Sequence, residues 1–248
     1  MDCMSLLGFS ACTPDPKLRD SLPFPAQDID KTAIPALLRR RSSSAMQLAF
    51  SAATAACSNA QRSASVLPSI FASVAGEIQT TDALCTELVK PDGVISPSAF
   101  HNSVQNTAAG YWCIAQHCMQ PSSALAAGAN TFAMALLEAW CQLSCQGGEL
   151  LVVCYDEQWA DYLDAGRGKP AFACALVLAA GKVENALLHI GRPQLGEETF
   201  PVEFADLAQA MPILSSIPLL RFAATGGTTQ NLAISTNTPS WQIGVSSV

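Results

Sequence analysis

Apolar residues recur at helical spacing on both sides of a turn made of small residues. Before the turn, steps of three, four or seven residues predict a helix across 97–118, with an apolar stripe of Phe100, Val104, Tyr111, Ala115 and Cys118. After it, the i, i+3, i+4, i+7 pattern predicts a second helix, whose stripe is Ala129, Phe132, Ala133, Leu136, Leu137, Trp140 and Leu143. Residues 122–128 between them are small enough for close backbone approach, which makes this turn the first candidate site.

Five apolar runs outside these helices have the length of strands. They are residues 4–12, 65–75, 149–155, 171–178 and 186–190, the last two joined through Gly181-Lys182. The run at 149–155 is nearly continuous, as in a strand buried on both faces of a sheet, and Gly147-Gly148 before it ends the second helix. Residues 37–62 have a helical pattern, with Ser42 to Ser44 as candidate caps. Strands alternating with amphipathic helices predict a layered α/β domain with a mixed sheet.

The tail has a different character. We expect a short helix at 204–211, an apolar piece at 219–223, a loop after Gly226-Gly227 and a short strand at 241–243. We therefore divide the chain into a domain at 1–193 and a C-terminal extension at 194–248 that packs on the same domain.

Composition narrows the function classes. Half of the residues are hydrophobic and only 13% are charged, which indicates a large core and surplus apolar surface, so an obligate partner is favoured. A net charge of −7 argues against general nucleic-acid binding. The ten cysteines lack paired metal-ligand spacing and are expected as buried, reduced thiols, with neither a metal nor a cofactor.

Nothing in the sequence predicts a membrane protein. The apolar run at 124–145 has about the length of a span, but Asn130, Thr131 and Glu138 interrupt it. The first residues lack the basic start and apolar centre of a signal peptide, so we expect a cytoplasmic protein.

The small-residue turn carries a resemblance to a known family. Residues 123–128 (SALAAG) resemble the nucleophile elbow of the β-ketoacyl synthases, whose motif is TACAxG. Phe71-Ala72-Ser73 with Gly76-Glu77 is similar to that family's FGS…GE, and residues 96–110 are similar to its SPxxF…N…G segment. The resemblance covers roughly residues 4 to 190. Most similar is the short, chain-length-factor-type branch found with aryl polyene and other type II polyketide systems.

The resemblance implies half of a thiolase-like fold, with the second half truncated, and it places Leu125 at the position of the catalytic cysteine. A thiolate at a helix N-terminus is a good nucleophile, whereas a leucine side chain has no nucleophilic atom. The family also uses two histidines in HGTGT-like and GH motifs, and His101, His117 and His189 stand in neither context. Condensation by this chain alone is therefore not expected.

Two functions of different classes follow. The first is a non-catalytic subunit that pairs with a full-length β-ketoacyl synthase and closes the far end of its acyl tunnel. Phe100, Val104, Tyr111 and Trp112 are the candidate lining residues, with core packing as the alternative. Ser123 and Leu125 complete the candidate tunnel and partner interface, and Leu125 would fill the vestigial pocket. The second is an independent acyl-transfer enzyme that uses Ser123, Cys113 or Cys118 as nucleophile, with His101 or His117 as the base.

Two charged features complete the candidates. Arg39-Arg40-Arg41 is the one basic run and is either a solvated helix end or a docking contact for an acidic acyl carrier protein. Asp156-Glu157 ends the strand at 149–155, and we expect a solvated strand end there, not a catalytic pair.

Overall fold

The computed structural model describes residues 1–163 and 170–248. Nine helices in these residues are α1 (Pro16–Ser21), α2 (Ala36–Arg39), α3 (Ser44–Asn59), α4 (Ile78–Leu88), α5 (Pro97–Asn102), α6 (Thr107–Ala115), α7 (Thr131–Gln146), α8 (Val202–Ala210) and α9 (Ile217–Thr225). Nine strands are β1 (Met4–Cys12), β2 (Ser69–Ala72), β3 (Ser122–Leu125), β4 (Glu149–Asp156), β5 (Phe172–Ala180), β6 (Leu188–Ile190), β7 (Gln194–Gly196), β8 (Gln230–Ala233) and β9 (Ser240–Ser247).

The described strands form one mixed sheet. Its order is β3-β2-β4-β5-β1-β6-β9-β7, with β8 also paired to β9. β3, β2 and β4 run parallel, and the remaining pairs are antiparallel. β3 therefore lies at one end of the sheet, and the carboxyl ends of β2, β3 and β4 meet at one edge.

Helices cover both faces of this sheet. Alternate side chains of β2 enter different cores: Ile70 and Ala72 pack with α7, and Phe71 packs with α3 and α6. β4 and β5 are buried along almost their whole length and contribute to both cores, which agrees with the near-continuous hydrophobic pattern of their sequences. The layered α/β architecture is confirmed.

Several predicted elements are shorter or divided. The expected helix at 37–62 is interrupted after α2, and α3 begins behind Ser43, whose hydroxyl accepts the Met46 N–H at 3.0 Å, so one of the candidate caps is confirmed. The expected helix at 97–118 is wrong, because α5 and α6 are separated by residues 103–106. Hydroxyl groups compete for the backbone there: Thr107 Oγ1 donates to the Asn102 carbonyl at 3.0 Å.

The C-terminal residues contribute to the same sheet and core as the rest of the chain. β9 pairs with β6, β7 and β8 and contains the short strand expected at 241–243. β8 lies in the segment expected as loop after Gly226-Gly227, so that part of the expectation is wrong. Residues 212–216 form a 3-10 turn, and its Ile213 and Leu214 lie in the cluster that contains α7. None of the helices in residues 1–163 and 170–248 combines the length and apolar character needed to cross a bilayer.

Candidate functional site

The elbow-like turn lies at the carboxyl end of the edge strand β3. Leu125 is the last residue of β3 and pairs with Ala72 of β2. The chain then turns through 128–130 into α7, with Gly128 at a φ of +55°. Thr131 closes the turn, since its Oγ1 accepts the Ala127 N–H at 3.0 Å and donates to the Gly128 carbonyl at 2.8 Å. The strand-turn-helix arrangement predicted here is present.

Leu125 has no group that could perform acyl transfer. Its side chain is half-buried and packs against the cluster formed with α7. Its backbone carbonyl accepts a hydrogen bond from the Ser73 N–H at 3.0 Å, so the turn after β2 directly supports the elbow. A leucine in this position makes the turn an apolar contact instead of a nucleophile site.

Ser73 connects the elbow to two other segments. Its hydroxyl donates to Asp156 Oδ1 at 2.6 Å and accepts the Gly76 N–H at 2.7 Å. Its carbonyl accepts from Gln105 Nε2 at 3.1 Å, and Gln105 lies in the link between α5 and α6. One buried serine therefore joins β3, the end of β4 and the α5–α6 link.

The acidic pair at the end of β4 is buried, so the expected solvated strand end is wrong. Asp156 and Glu157 each keep only 1% of their surface exposed. Asp156 is held by the Ser73 hydroxyl and by the N–H groups of Val74 and Ala75, both at 3.2 Å. Glu157 accepts hydrogen bonds from the Ser44 hydroxyl and from the Gln79 N–H at 3.0 Å.

Glu77 is a third buried carboxyl beside this pair. It is 1% exposed, and neither carboxyl oxygen has a hydrogen-bond partner within the described residues. Burial raises its pKa to about 7, with a further contribution from the Glu157 charge, although the Ser43 hydroxyl offsets part of the shift. Burial also raises the pKa of Asp156 to about 7, against the lowering effect of its three donors. We call Glu77, Asp156 and Glu157 the carboxyl cluster.

An open cavity of about 500 Å³ adjoins the carboxyl cluster. Its walls come from the start of α3, from α4 and from α5, and Glu157 forms part of them. Ser44 and Gln79, which bind Glu157, also line it. Within the described residues, no group of His, Cys, Asp and Glu side chains is arranged to hold a metal ion.

The predicted lining residues occupy two different environments. Phe100 and Val104 are 65% and 48% exposed, so both are available to another molecule. Tyr111 is half-buried, and its hydroxyl donates to Asn102 Oδ1 at 3.0 Å. Trp112 is 1% exposed and packs edge-on against Phe50, with ring centroids 5.1 Å apart, which places it in the core of the chain.

The alternative nucleophiles have no base arranged beside them in the described contacts. The Ser123 hydroxyl contacts Gln142 Nε2 at 3.5 Å. Burial raises the pKa of Cys113, which disfavours its thiolate, and Cys118 donates to the Leu67 carbonyl at 3.5 Å. All ten cysteines are free, six of them buried, so the expectation of reduced thiols mostly inside the core agrees with the structure.

The histidines and the arginine run lie at the surface or the far end of the sheet. His101 and His117 are exposed. His189 lies in β6, and its Nδ1 is 3.0 Å from the Ser5 hydroxyl of β1. Arg40 and Arg41 are exposed, whereas Arg39 donates to the Ile34 carbonyl at 3.1 Å. The three arginines therefore do not act as one uniform surface.

The carboxyl cluster is the feature that sequence reasoning missed. Ser73 and Glu77 were singled out only for their resemblance to a motif, and Asp156-Glu157 for following an apolar strand. One sequence signal could have predicted that Ser73 and Asp156 meet. If the strands before them are parallel neighbours, polar residues at their carboxyl ends lie at the same edge of the sheet. The buried position of Glu77 has no comparable sequence signal.

Comparisons with known proteins define the family. The sequence matches the family model described as "Beta-ketoacyl synthase, N-terminal domain" over residues 15–242. Because this match spans most of the chain, the chain belongs to that β-ketoacyl synthase family, as the elbow motif indicates. The match continues through most of the tail, past residue 190, where the sequence resemblance was expected to end. No curated protein matches the sequence.

Solved structures show the same fold at low sequence identity. A chain from the ketosynthase (ApeO) in complex with its chain length factor (ApeC) from Xenorhabdus doucetiae is 22% identical, with a TM-score of 0.71 and coverage of 98% of this chain and 99% of that one. A chain of the ishigamide ketosynthase/chain length factor is 14% identical, with a TM-score of 0.66 and coverage of 98% of both chains. A chain of the AntDE:AntF complex, a type II polyketide acyl-carrier protein with its ketosynthase bound to the hexaketide, is 10% identical, with a TM-score of 0.75 over 100% of both chains.

Proposed function

We propose that this chain is a non-catalytic, chain-length-factor-type subunit that pairs with an active β-ketoacyl synthase and shapes its acyl tunnel in polyene, polyketide or fatty acid-type biosynthesis. The observation that carries the proposal is Leu125, an apolar residue in a well-formed elbow where the family needs a thiolate. Retention of the elbow without its nucleophile favours a role in assembly over one in chemistry.

The fold neighbours support the kind of assembly proposed. Two of them come from complexes described as a ketosynthase with a chain length factor, and a third from a ketosynthase in complex with an acyl-carrier protein. Each covers nearly the whole of this chain, so the likeness is to complete chains of such complexes. On that basis we propose that the partner of this chain is a β-ketoacyl synthase.

The edge strand β3 is the proposed contact with the synthase. β3 is the terminal strand in the order of the described sheet, so one side of its backbone lacks a strand partner there. Exposed apolar side chains lie on the segment before it: Ile114 is 62% exposed and Met119 is 94% exposed. An unpaired strand edge beside such residues is a surface that a second protein of the same fold could cover.

Phe100 and Val104 are the side chains that we assign to the tunnel. They are exposed on α5 and in the α5–α6 link, so they can reach a cavity in the partner. Tyr111 and Trp112 would not contact the acyl chain directly but would support the lining residues, because Tyr111 bonds to Asn102 and Trp112 packs in the core. Leu125 would keep the vestigial pocket dry and unreactive.

Arg40 and Arg41 are the proposed contact for an acyl carrier protein. Both are exposed on a chain with a net charge of −7, so they form a local basic site for an acidic partner. Arg39 would contribute less, because its side chain is tied to the Ile34 carbonyl.

Product length tests the tunnel-shaping role. We would reconstitute the complex with its co-purifying synthase and compare Phe100→Ala with Phe100→Trp. Removing bulk should lengthen the acyl product by one extension unit or more, and adding bulk should shorten it. Leu195→Ala and Leu195→Trp, at the opposite end of the sheet, are the controls, since Leu195 is 57% exposed. If the acyl product has the same length in both Phe100 variants as in the wild type, the proposed tunnel-shaping role is wrong.

A further inference from the structure

The carboxyl cluster sits where two parts of the proposed partner surface, the elbow and the α5–α6 link, are joined. Asp156 holds the Ser73 hydroxyl, and Ser73 in turn bonds the Leu125 carbonyl and the Gln105 side chain. Glu157 holds the starts of α3 and α4 through Ser44 and Gln79. The position of the elbow therefore depends on groups whose charge depends on pH.

Hydrogen-bond donors are distributed unequally among the three carboxyls. Asp156 accepts from one hydroxyl and two backbone N–H groups, and Glu157 accepts from one hydroxyl and one N–H. Glu77 forms no hydrogen bond within the described residues, although the Ser43 hydroxyl lies close enough to lower its pKa. A buried carboxylate without donors is far more costly than a buried neutral carboxyl, so Glu77 is the member of the cluster least able to carry a negative charge.

The surroundings of Glu77 strengthen this assignment. The end of β4 places Tyr155, Asp156 and Glu157 in the same cluster, and the start of α3 contributes the neutral Ser43 hydroxyl. Within residues 1–163 and 170–248, no Lys, Arg or His is among the groups that shift the pKa of Glu77. Ionised Glu77 would thus face negative charge with no compensating cation from these elements.

We propose that Glu77 holds a proton in the folded chain, and that local opening of the turn at 73–77 releases this proton and frees the elbow and the α5–α6 link. The turn then acts as a proton-sensitive lock. The lock is tight in mildly acidic solution and opens more easily as pH rises toward neutrality. Its consequence for partner binding rests on the proposed function, whereas the lock itself does not.

The direction of the pH effect follows from proton release. A carboxyl that titrates at about 4.5 in the open turn and at about 7 in the closed turn gives up a proton on opening between these values. In that window each pH unit raises the opening constant by up to about tenfold, and above pH 7 the effect levels off. Replacing Glu77 with glutamine removes this proton and should weaken the pH dependence of opening; the part that remains belongs to Asp156, whose pKa burial also raises to about 7.

Hydrogen–deuterium exchange of the full chain at pH 5, 6, 7 and 8, corrected for intrinsic exchange rates, tests the lock. Peptides covering 69–77 and 122–126 should lose protection from pH 5 to 7 in the wild type and should lose clearly less in Glu77→Gln, where Asp156 still contributes. Glu87→Gln on the same helix α4, where Glu87 is paired with Lys90, is the matched control and should behave as the wild type. Equal profiles for the wild type and Glu77→Gln would overturn the proposal.

A second measurement needs no variant. Burial also raises the pKa of Glu157, so carbon-13 NMR of labelled glutamate carboxyls should show Glu77 as a second glutamate that titrates above the ordinary range. The signal that is absent from a folded Glu77→Gln sample assigns it. A normal titration of Glu77 would also overturn the proposal. If no synthase co-purifies while the exchange profile holds, the proposed function fails and the lock stands. If the wild-type exchange profile is independent of pH while the complex with a synthase forms, the lock fails and the proposed function stands.

Discussion

The backbone N–H of Ser73 donates to the carbonyl of Leu125 over 3.0 Å, so the turn that follows β2 fixes the end of β3. Ser73 also donates its hydroxyl to Asp156 at 2.6 Å. Leu125, at the position that the resemblance assigns to the nucleophile, is therefore held by a network reaching into the buried carboxyl cluster. This network explains how the elbow keeps its shape.

Restoring the nucleophile should not restore catalysis. Leu125→Cys places a thiol at the elbow, but neither histidine motif of the family occurs in the sequence. We expect no condensation above background from the isolated variant in an assay with acyl and malonyl carrier protein. Leu125→Ser should behave identically and retain partner binding. Synthase activity from isolated Leu125→Cys would contradict the assignment of this chain as non-catalytic.

Charge placed beside β3 should weaken the synthase complex. Ile114→Arg introduces a cation at a side chain that is 62% exposed in the single chain and would be covered in the complex. We expect at least about a tenfold loss of affinity by surface plasmon resonance, as for a disrupted interface centre. Leu195→Arg on β7 is the matched control, because its side chain is similarly exposed at the far end of the sheet. Equal affinities for both variants would place the interface elsewhere.

Asp156→Asn should destabilise the fold. The amide group would replace one acceptor oxygen in a site where the Ser73 hydroxyl and two backbone N–H groups all donate. Leaving a buried donor unpaired costs about 1–3 kcal/mol, which urea unfolding followed by circular dichroism can measure. Asp92→Asn, at an exposed loop position, is the control and should lie within about 0.5 kcal/mol of the wild type. A neutral Asp156→Asn would show that the network adds no stability.

The stability of the isolated chain should fall as pH rises from about 4 to about 7. Burial raises the pKa values of Glu77 and Asp156 to about 7, above ordinary values of 4.5 and 3.8. The unfolded chain then holds fewer protons than the folded chain in this window, so unfolding becomes easier as pH increases. Differential scanning calorimetry should give a higher midpoint at pH 5 than at pH 7.5. A midpoint that rises steadily over the same range would show that these carboxyls are not neutral in the fold.

Charge reversal at Arg40 tests the carrier-protein contact. Arg40→Glu should weaken binding of an acyl carrier protein to the complex, and the difference from the wild type should shrink as salt is added. Arg192→Glu is the control, because Arg192 is also exposed but lies just before β7, at the far end of the sheet. An unchanged affinity for Arg40→Glu would contradict the docking proposal and favour the alternative, in which the arginine run is a solvated helix end.

The sequence predicted those elements whose pattern is set by the local core. β1, β4 and α7 are long and periodic, so burial alone determines their type. The failures have local causes: hydroxyls at 103 and 107 divide the expected helix at 97–118. The helix α4 was not predicted, because its sequence is more polar and it buries Leu84 alone. β8 was missed because its polar sequence becomes a strand only by pairing with β9.

The sequence predicted the turn of the candidate site but not the residues that support it. The strand, turn and helix around Leu125 follow from a run of small residues and the apolar stripe of α7. The burial of Asp156 and Glu157 depends on donors from Ser73, Ser44 and Gln79, which lie 78 to 113 positions away in sequence. The residues around a charged pair that follows a strand do not show whether its carboxylates are bound by water or by buried donors from distant segments.

The central claim is that this chain works as one half of a heterodimer with an active synthase. The most direct test is to purify the tagged protein from its own cells at low salt and to measure the native mass and identity of what co-elutes. We predict a full-length β-ketoacyl synthase at one-to-one stoichiometry. A well-folded monomer or homodimer without a synthase would contradict the account.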